Sequence, residues 1–377
     1  MIMNQYLEEV SLKLEMLRQT LRETEAQGIR LRGTDWFAWV TGGASNAVLL
    51  TAETGIAEVL VTCEDAWVLT DEIEAQRLVE EELPANFKLF INPWGNLATR
   101  ESLVRDVTNA GMVFSDLPEI REAVRPMLPE ETLLPRSFYI HRSYLLSSEL
   151  ERYRQVGKKA SEAMTEVLLA AEPTWTEYQL AGAGAEALWK RGLHPALTLA
   201  AGERRLPLYR HPTPTNEVIG SEAMLVFCAR GFGLYANLTR FVSFVPLGAR
   251  DQQAQLHRQV AEIEAEALDL CHNNIPLNTI YYTLAKAYEQ QGFPHAIREH
   301  HQGGTTGYLA REIIATPTTT DLLTYNMAVA WNPSLPGAKI EDTFVLHEDG
   351  GLENLTFDPD FPSVVIKGRL RPIPLIR

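Results

Sequence analysis

The chain has 377 residues, 45% of them hydrophobic, and a formal net charge of −15 from 34 basic and 49 acidic side chains. That length supports about two domains on the usual scale of ~100–200 residues each, and the hydrophobic content excludes a disordered chain. The negative charge, with no run of Lys or Arg to offset it locally, excludes a nucleic-acid partner held through a positive field.

Residues 1–25, MIMNQYLEEVSLKLEMLRQTLRETE, place Val10, Leu14, Leu17 and Leu21 on one stripe and predict an amphipathic helix. The segment has no basic start leading into an apolar run, so no export signal is expected. No stretch reaches the ~20 apolar residues of a membrane span. The three cysteines, Cys63, Cys228 and Cys271, are too scattered for a redox or metal pair. A cytoplasmic protein is the expectation.

From Trp36 to about Ala110, short apolar strands alternate with helical patterns. Strands are predicted at Ala47–Thr51, Ala57–Cys63 and Asp65–Thr70 as an antiparallel meander. A helix from Asp71, a strand at Lys88–Ile91, a helix from Glu101 and a strand at Gly111–Asp116 follow. This reads as a small α/β domain over residues 1–144. Pro126–Pro135 breaks the periodicity and reads as a linker. From Ser147 a long helix carries the stripe Leu150, Tyr153, Gly157, Ala160, Met164 and Val167, and a second helix starts at Thr176–Glu177. Strands are then expected at Ala223–Ala229 and Gly233–Val245, helices at Asp251–Cys271 and Leu277–Gln291, and strands at Met327–Asn332, Glu341–Leu346 and Ser363–Ile366. Two successive rounds of paired helices and strands predict an internally repeated α+β domain over residues 145–377.

Three segments of that second half carry a resemblance. LVFCARGFGLYANLTRFVSF is similar to a strand, Gly-rich turn and strand ending in Thr-Arg; EHHQGGTTGYLARE is similar to a His-containing Gly-rich loop; AWNPSLPGAKIEDTFVLHEDGGLENLT is similar to a stretch bearing two acidic ligands. Together they resemble the aminopeptidase P, prolidase and creatinase family. The likeness is collinear from about Ser147 to Phe361 and looser in the first half, at Trp39-Val40-Thr41-Gly42. It implies a creatinase-like N-terminal domain and a C-terminal pita-bread domain, a curved antiparallel sheet flanked by helices. It also implies a homodimer.

Metallopeptidases of that family hold two divalent cations with two Asp, one His and two Glu. Carried over residue by residue, the first Asp falls on Ala229, the second on Asn237, the His on His300 or His301, the first Glu on Asn332 and the second on Glu341. Two divalent ions need anionic oxygen ligands to offset their hydration and mutual repulsion. Glu341 alone supplies one negative charge, so neither a metal nor another cofactor is expected. The resemblance then implies an Xaa-Pro peptidase-like protein that binds a small peptide or amide-like ligand in the inherited cleft.

Two enzymatic alternatives stay open. Creatinase shares the fold and breaks a C–N bond without metal through a histidine, and His211 in LYRHPTPTN aligns with it; an imidazole titrating near neutrality suits general acid–base work. The creatinase set is itself incomplete, since its glutamate falls on Thr239 and its late histidine on Glu341. An altered mononuclear Xaa-Pro peptidase ranks last. His300 and His301, beside Gly303 and Gly304, join His211 as catalytic candidates; Arg311, Glu312 and Arg240 are candidate substrate contacts. Each has a structural alternative: His211 as a solvated loop residue, Arg311 and Glu312 as a surface pair, Glu341 as a strand acid bonded to Arg240, and Asn237 with Asn332 as a polar network that replaces the metal site.

Overall fold

In the computed structural model, which describes residues 2–118, 130–245 and 251–377, the chain divides into two units: Met1–Arg142 with Leu146–Glu149, and Ser143–Leu145 with Leu150–Arg377.

In the first unit, helix α1 (Ile2–Glu23) buries the stripe Val10, Leu14, Leu17 and Leu21. Strand β1 (Gly28–Gly33) and the short helix α2 (Thr34–Val40) follow, then β2 (Thr54–Val61), β3 (Ala66–Asp71), α3 (Ala75–Arg77), β4 (Lys88–Asn92), α4 (Leu97–Val107), β5 (Val113–Ser115), β6 (Glu131–Leu133) and α5 (Arg136–Ser143). The strands form one sheet in the order β4-β3-β2-β1-β5-β6. Its β1–β2 and β2–β3 pairs are antiparallel and the others parallel.

Three sequence expectations change here. Ala47–Thr51 is no strand but a turn-rich loop, with Val48, Leu49 and Leu50 exposed; the place beside β2 that the meander gave it is held by β1. Asp71 ends β3 rather than opening a helix, and only Ala75–Arg77 is α-helical before a π turn over Leu78–Glu82. Of the expected linker Pro126–Pro135, residues 126–129 lie outside the described residues, and Glu131–Leu133 is the edge strand β6. The central strand β1 escaped prediction because two of the six residues of GIRLRG are arginines. It is buried throughout, with Arg30 paired to Glu58 and Glu101 and Arg32 paired to Glu131 and Glu58.

The second unit begins its first round with α6 (Ser147–Ala170) and α7 (Glu177–Trp189), which Thr176 and Gln179 open with a reciprocal capping box. Strands β7 (His194–Gly202), β8 (Glu222–Gly231) and β9 (Leu234–Ser243) follow. A second round repeats the plan: α8 (Asp251–Asp269), β10 (Ile275–Pro276), α9 (Leu277–Gln290), β11 (Gly303–Thr306), β12 (Ile313–Ile314), β13 (Leu322–Leu323), β14 (Ala328–Trp331), β15 (Ser334–Leu335), β16 (Ala338–Lys339), β17 (Asp342–Leu346) and β18 (Leu352–Asn354). A hairpin of β19 (Ser363–Ile366) and β20 (Arg369–Pro372) and a last strand β21 (Leu375–Ile376) complete it. One sheet runs β21-β9-β8-β7 and the other β12-β11-β14-β17-β18.

Each round has its own apolar core. Met164, Leu180, Leu188, Leu225, Phe227 and Leu238 pack under α6 and α7, while Ile263, Leu284, Tyr288, Val329, Trp331 and Phe344 pack under α8 and α9. An isolated bridge, Thr239 to Glu341, joins the two sheets. The polar residues singled out from sequence gather around it.

Candidate functional site

The site is set by strand register. The β8–β9 hairpin turns on Phe232 and Gly233, both with positive φ (53° and 80°), the signature of a two-residue type I′ turn whose twist matches the strands. Gly231 therefore faces Leu234 and Cys228 faces Asn237. Alternation does the rest: Ala229, Ala236 and Leu238 point into the core with Phe227, while Cys228, Asn237 and Thr239 share the opposite face. Ala229 is thus not a position on the polar face, as the sequence alignment had it; the residue that stands across from Asn237 is Cys228.

The second sheet extends the same face. Thr239 Oγ1 donates to Glu341 Oε2 at 3.1 Å, and Asn237 and Thr343 are joined backbone to side chain, Asn237 N to Thr343 Oγ1 at 2.8 Å and Thr343 Oγ1 to Asn237 O at 3.1 Å. Trp331 pairs with Asp342, so the same register sets Asn332 opposite Glu341. Gly303 and Gly304 of β11 let this ladder close: both have positive φ, and a Cβ would fall 2.1 Å from Ala330 O at Gly303 and 2.0 Å from Ile313 O at Gly304.

Glu341 is the one carboxylate in the group, and it is already paired. Arg311 Nη2 lies 2.5 Å from Oε1 and Lys339 Nζ 3.3 Å from Oε2. Burial opposes its ionisation, yet the charges of Lys339 and Arg311 and their hydrogen bonds hold its carboxyl down at about 2. Arg311 also donates to Ala310 O at 2.6 Å. That carbonyl receives Asn237 Nδ2 at 3.4 Å as well, and Nδ2 donates to Thr306 Oγ1 at 3.0 Å. Burial pushes the Cys228 thiol up to about 12, with Glu341 adding to the effect, so it stays protonated.

Three imidazoles flank the group. The His211 ring is 5.7 Å from those of His300 and His301, and stacks on the latter. His300 Nε2 lies 2.6 Å from Ser334 Oγ, and its Nδ1 meets the His301 carbonyl. Burial, reinforced by Lys339, lowers His300 to about 3; burial and Arg311 lower His301 to about 4. His211 is exposed and shifted down by partial burial and by Lys339. All three are neutral bases at neutral pH.

One sequence candidate lies elsewhere. Arg240 is buried and donates to Asp342 Oδ1 at 2.6 Å and to Thr356 O at 2.9 Å; it reaches only the backbone of Glu341. It belongs to a buried ion-pair chain that continues through Arg371 to Glu264, and neither binds an open ligand nor pairs with the Glu341 carboxylate. Glu312 accepts from Leu309 N at 3.1 Å, within its own loop. Sequence reasoning passed over Lys339 and Cys228. Lys339 stands two residues before Glu341, where strand alternation signals a shared face. Cys228 follows from counting back through a two-residue hairpin.

The profile of metallopeptidase family M24 matches residues 151–348, more than half the chain, and the chain belongs to that family. No curated protein sequence matches it significantly. Among solved structures, an Xaa-Pro dipeptidase from Bacillus anthracis is similar over 98% of this chain and 100% of its own, at 17% identity and a TM-score of 0.79. An X-Pro aminopeptidase from Thermotoga maritima MSB8 aligns over 97% and 99%, at 16% identity and 0.78. The N-terminal domain of the FACT complex subunit SPT16 from Cicer arietinum (chickpea) aligns over 94% and 96%, at 12% identity and 0.70. The fold is therefore the pita-bread fold of the Xaa-Pro peptidases. At these identities the likeness carries the architecture, and activity has to be argued from the site.

Proposed function

We propose that this M24 member works without the family's pair of metal ions and binds a small peptide or amide-like ligand at the Glu341 face. The carrying observation is the double pairing of Glu341 with Arg311 and Lys339. One carboxylate against two cations leaves that spot with a formal charge of about +1, which repels divalent ions. The remaining oxygen donors, Asn237 and Asn332, are neutral amides, and the Cys228 thiol is protonated. Hard or borderline cations at close spacing require anionic ligands, and this donor set does not fit them. Among the described residues no group of three or more His, Cys, Asp or Glu is disposed to hold a metal ion.

What the face offers instead is directional hydrogen bonding in a partly desolvated setting, with Arg311 and His301 half-buried and His211 open to solvent. Small-ligand sites are built in this way, from a few convergent polar groups on a rigid frame. The test is calorimetric titration with capped dipeptide amides and free dipeptides, in chelator. Binding that is lost in Arg311→Met supports the reading; Xaa-Pro hydrolysis that depends on added manganese contradicts it.

A second reading is favoured by the neutral His211 imidazole, 5.7 Å from two other histidine rings: a metal-independent C–N hydrolase with His211 as acid–base group. Hydrolysis that persists in chelator and disappears in His211→Ala selects it. A homodimer and a cytoplasmic setting complete the proposal. Family resemblance supports the first, and three free cysteines support the second. Among the described residues no helix is long and apolar enough to cross a membrane.

A further inference from the structure

Four buried polar atoms on this face have no hydrogen-bond partner in the protein: Asn237 Oδ1, Asn332 Oδ1, His301 Nδ1 and Arg311 Nε. Burying an unsatisfied polar atom costs on the order of 1–3 kcal/mol, so four in one place mark a surface shaped for something other than itself. The orientation of Asn237 is fixed by its neighbours. Thr306 Oγ1 spends its proton on Leu309 O and must accept from the amide, and Ala310 O can only accept. The amino group is therefore turned to Thr306 and Ala310, and Oδ1 is left as a buried acceptor with no partner in the protein. Arg311 Nε, by contrast, can only donate.

We infer that the face of Asn237, Asn332 and Arg311 takes a neutral group carrying N–H donors beside a carbonyl, a primary carboxamide or a urea. This deepens the ligand-binding reading above and rests on it. The ligand's N–H groups meet the two asparagine oxygens and its carbonyl meets Arg311 Nε. A carboxylate offers no donor and leaves both asparagine oxygens, 0% and 2% exposed as residues, unmet. An amidinium offers no acceptor, leaves Arg311 Nε unmet, and brings a positive charge to a spot already carrying both Arg311 and Lys339. Only the neutral donor–acceptor group satisfies both kinds of atom.

The test is calorimetry on the whole protein in chelator with one capped dipeptide ending in a carboxamide, a carboxylate or an amidinium, and with urea. The expected result is that the carboxamide or urea binds about tenfold or more tightly than either charged analogue, and that Asn237→Leu weakens it roughly 10- to 100-fold. Preference for urea over the capped amide assigns a urea-type ligand, and the reverse a peptide amide. Asn237→Asp keeps the acceptor and shape but adds a negative charge, and shifts preference toward the amidinium; it carries the test where Asn237→Leu fails to fold. Tightest binding of the carboxylate, or no binding of any of the four, overturns the inference. In the first case the ligand-binding reading stands, whereas metal-dependent Xaa-Pro hydrolysis removes both.

Discussion

Arg311, in the loop between β11 and β12, and Glu341, just before β17, meet at 2.5 Å, and Lys339 closes on the other oxygen of the same carboxylate. The two cations pair with the carboxylate onto which the family resemblance carries a metal ligand. Glu341→Gln strands both charges in a buried setting, and breaking a buried pair from one side typically costs ~3–5 kcal/mol. Urea unfolding of Glu341→Gln is expected to show a loss of about that size, and Lys339→Met in the same background to restore part of it. A loss under about 1 kcal/mol would mean that the pair is solvent-screened.

Acid sensitivity follows from the same pair. The Glu341 carboxyl is lowered from 4.5 to about 2, and Glu58, between Arg30 and Arg32 in the first unit, is likewise lowered to about 2. A carboxylate depressed in the folded state contributes stability that is present above its unfolded value and lost as pH falls through the folded one. Stability is therefore expected to fall between about pH 4.5 and pH 2. Denaturant midpoints measured across that window should flatten in Glu341→Gln and in Glu58→Gln.

His300 and His301 add a second window. Their folded values, about 3 and about 4, lie below the ordinary 6.5. The unfolded chain takes up protons first, and stability declines as pH drops below about 6.5. In a histidine NMR titration both Cε1 signals should hold still from about pH 8 to pH 5. A midpoint near 6.5 for either would place it in open solvent.

Ala229 and Cys228 separate the two faces of β8 in a single comparison. Ala229→Asp puts an unpaired carboxylate among Phe227, Leu225 and Leu238, and is expected to destabilise by several kcal/mol, ~3 or more. Cys228→Asp places the charge beside Arg311 and Lys339 and should be tolerated far better. Chemical denaturation of the two variants reads the difference directly, and equal losses would contradict the assigned register.

Much of the frame was legible because period and punctuation are local. The α1 stripe, the capping box at Thr176 and the β8–β9 hairpin are all visible in a few adjacent residues. What was hidden depended on distant partners. β1 looked too charged for a central strand until Glu58, Glu101 and Glu131 were found to neutralise Arg30 and Arg32. Val48-Leu49-Leu50 looked like a strand and found no sheet edge. At the candidate site, Asn237, Asn332, Glu341 and the three histidines were singled out from sequence, but an alignment does not count side-chain alternation through a two-residue hairpin. That is why Ala229 stood in for Cys228. The pairing of Arg311 with Glu341 joins residues 30 positions apart and needed the tertiary structure.

The central claim is that the Glu341 face rejects divalent ions because its own cations are already there. Metal content of the purified protein, measured by elemental analysis after equilibration with manganese, cobalt or zinc, tests it most directly. The account expects no stoichiometric ion in the native chain, and measurable uptake once Cys228→Asp, Asn237→Asp and Asn332→Glu are combined. Two equivalents held by the unaltered chain and released in Glu341→Gln would contradict it.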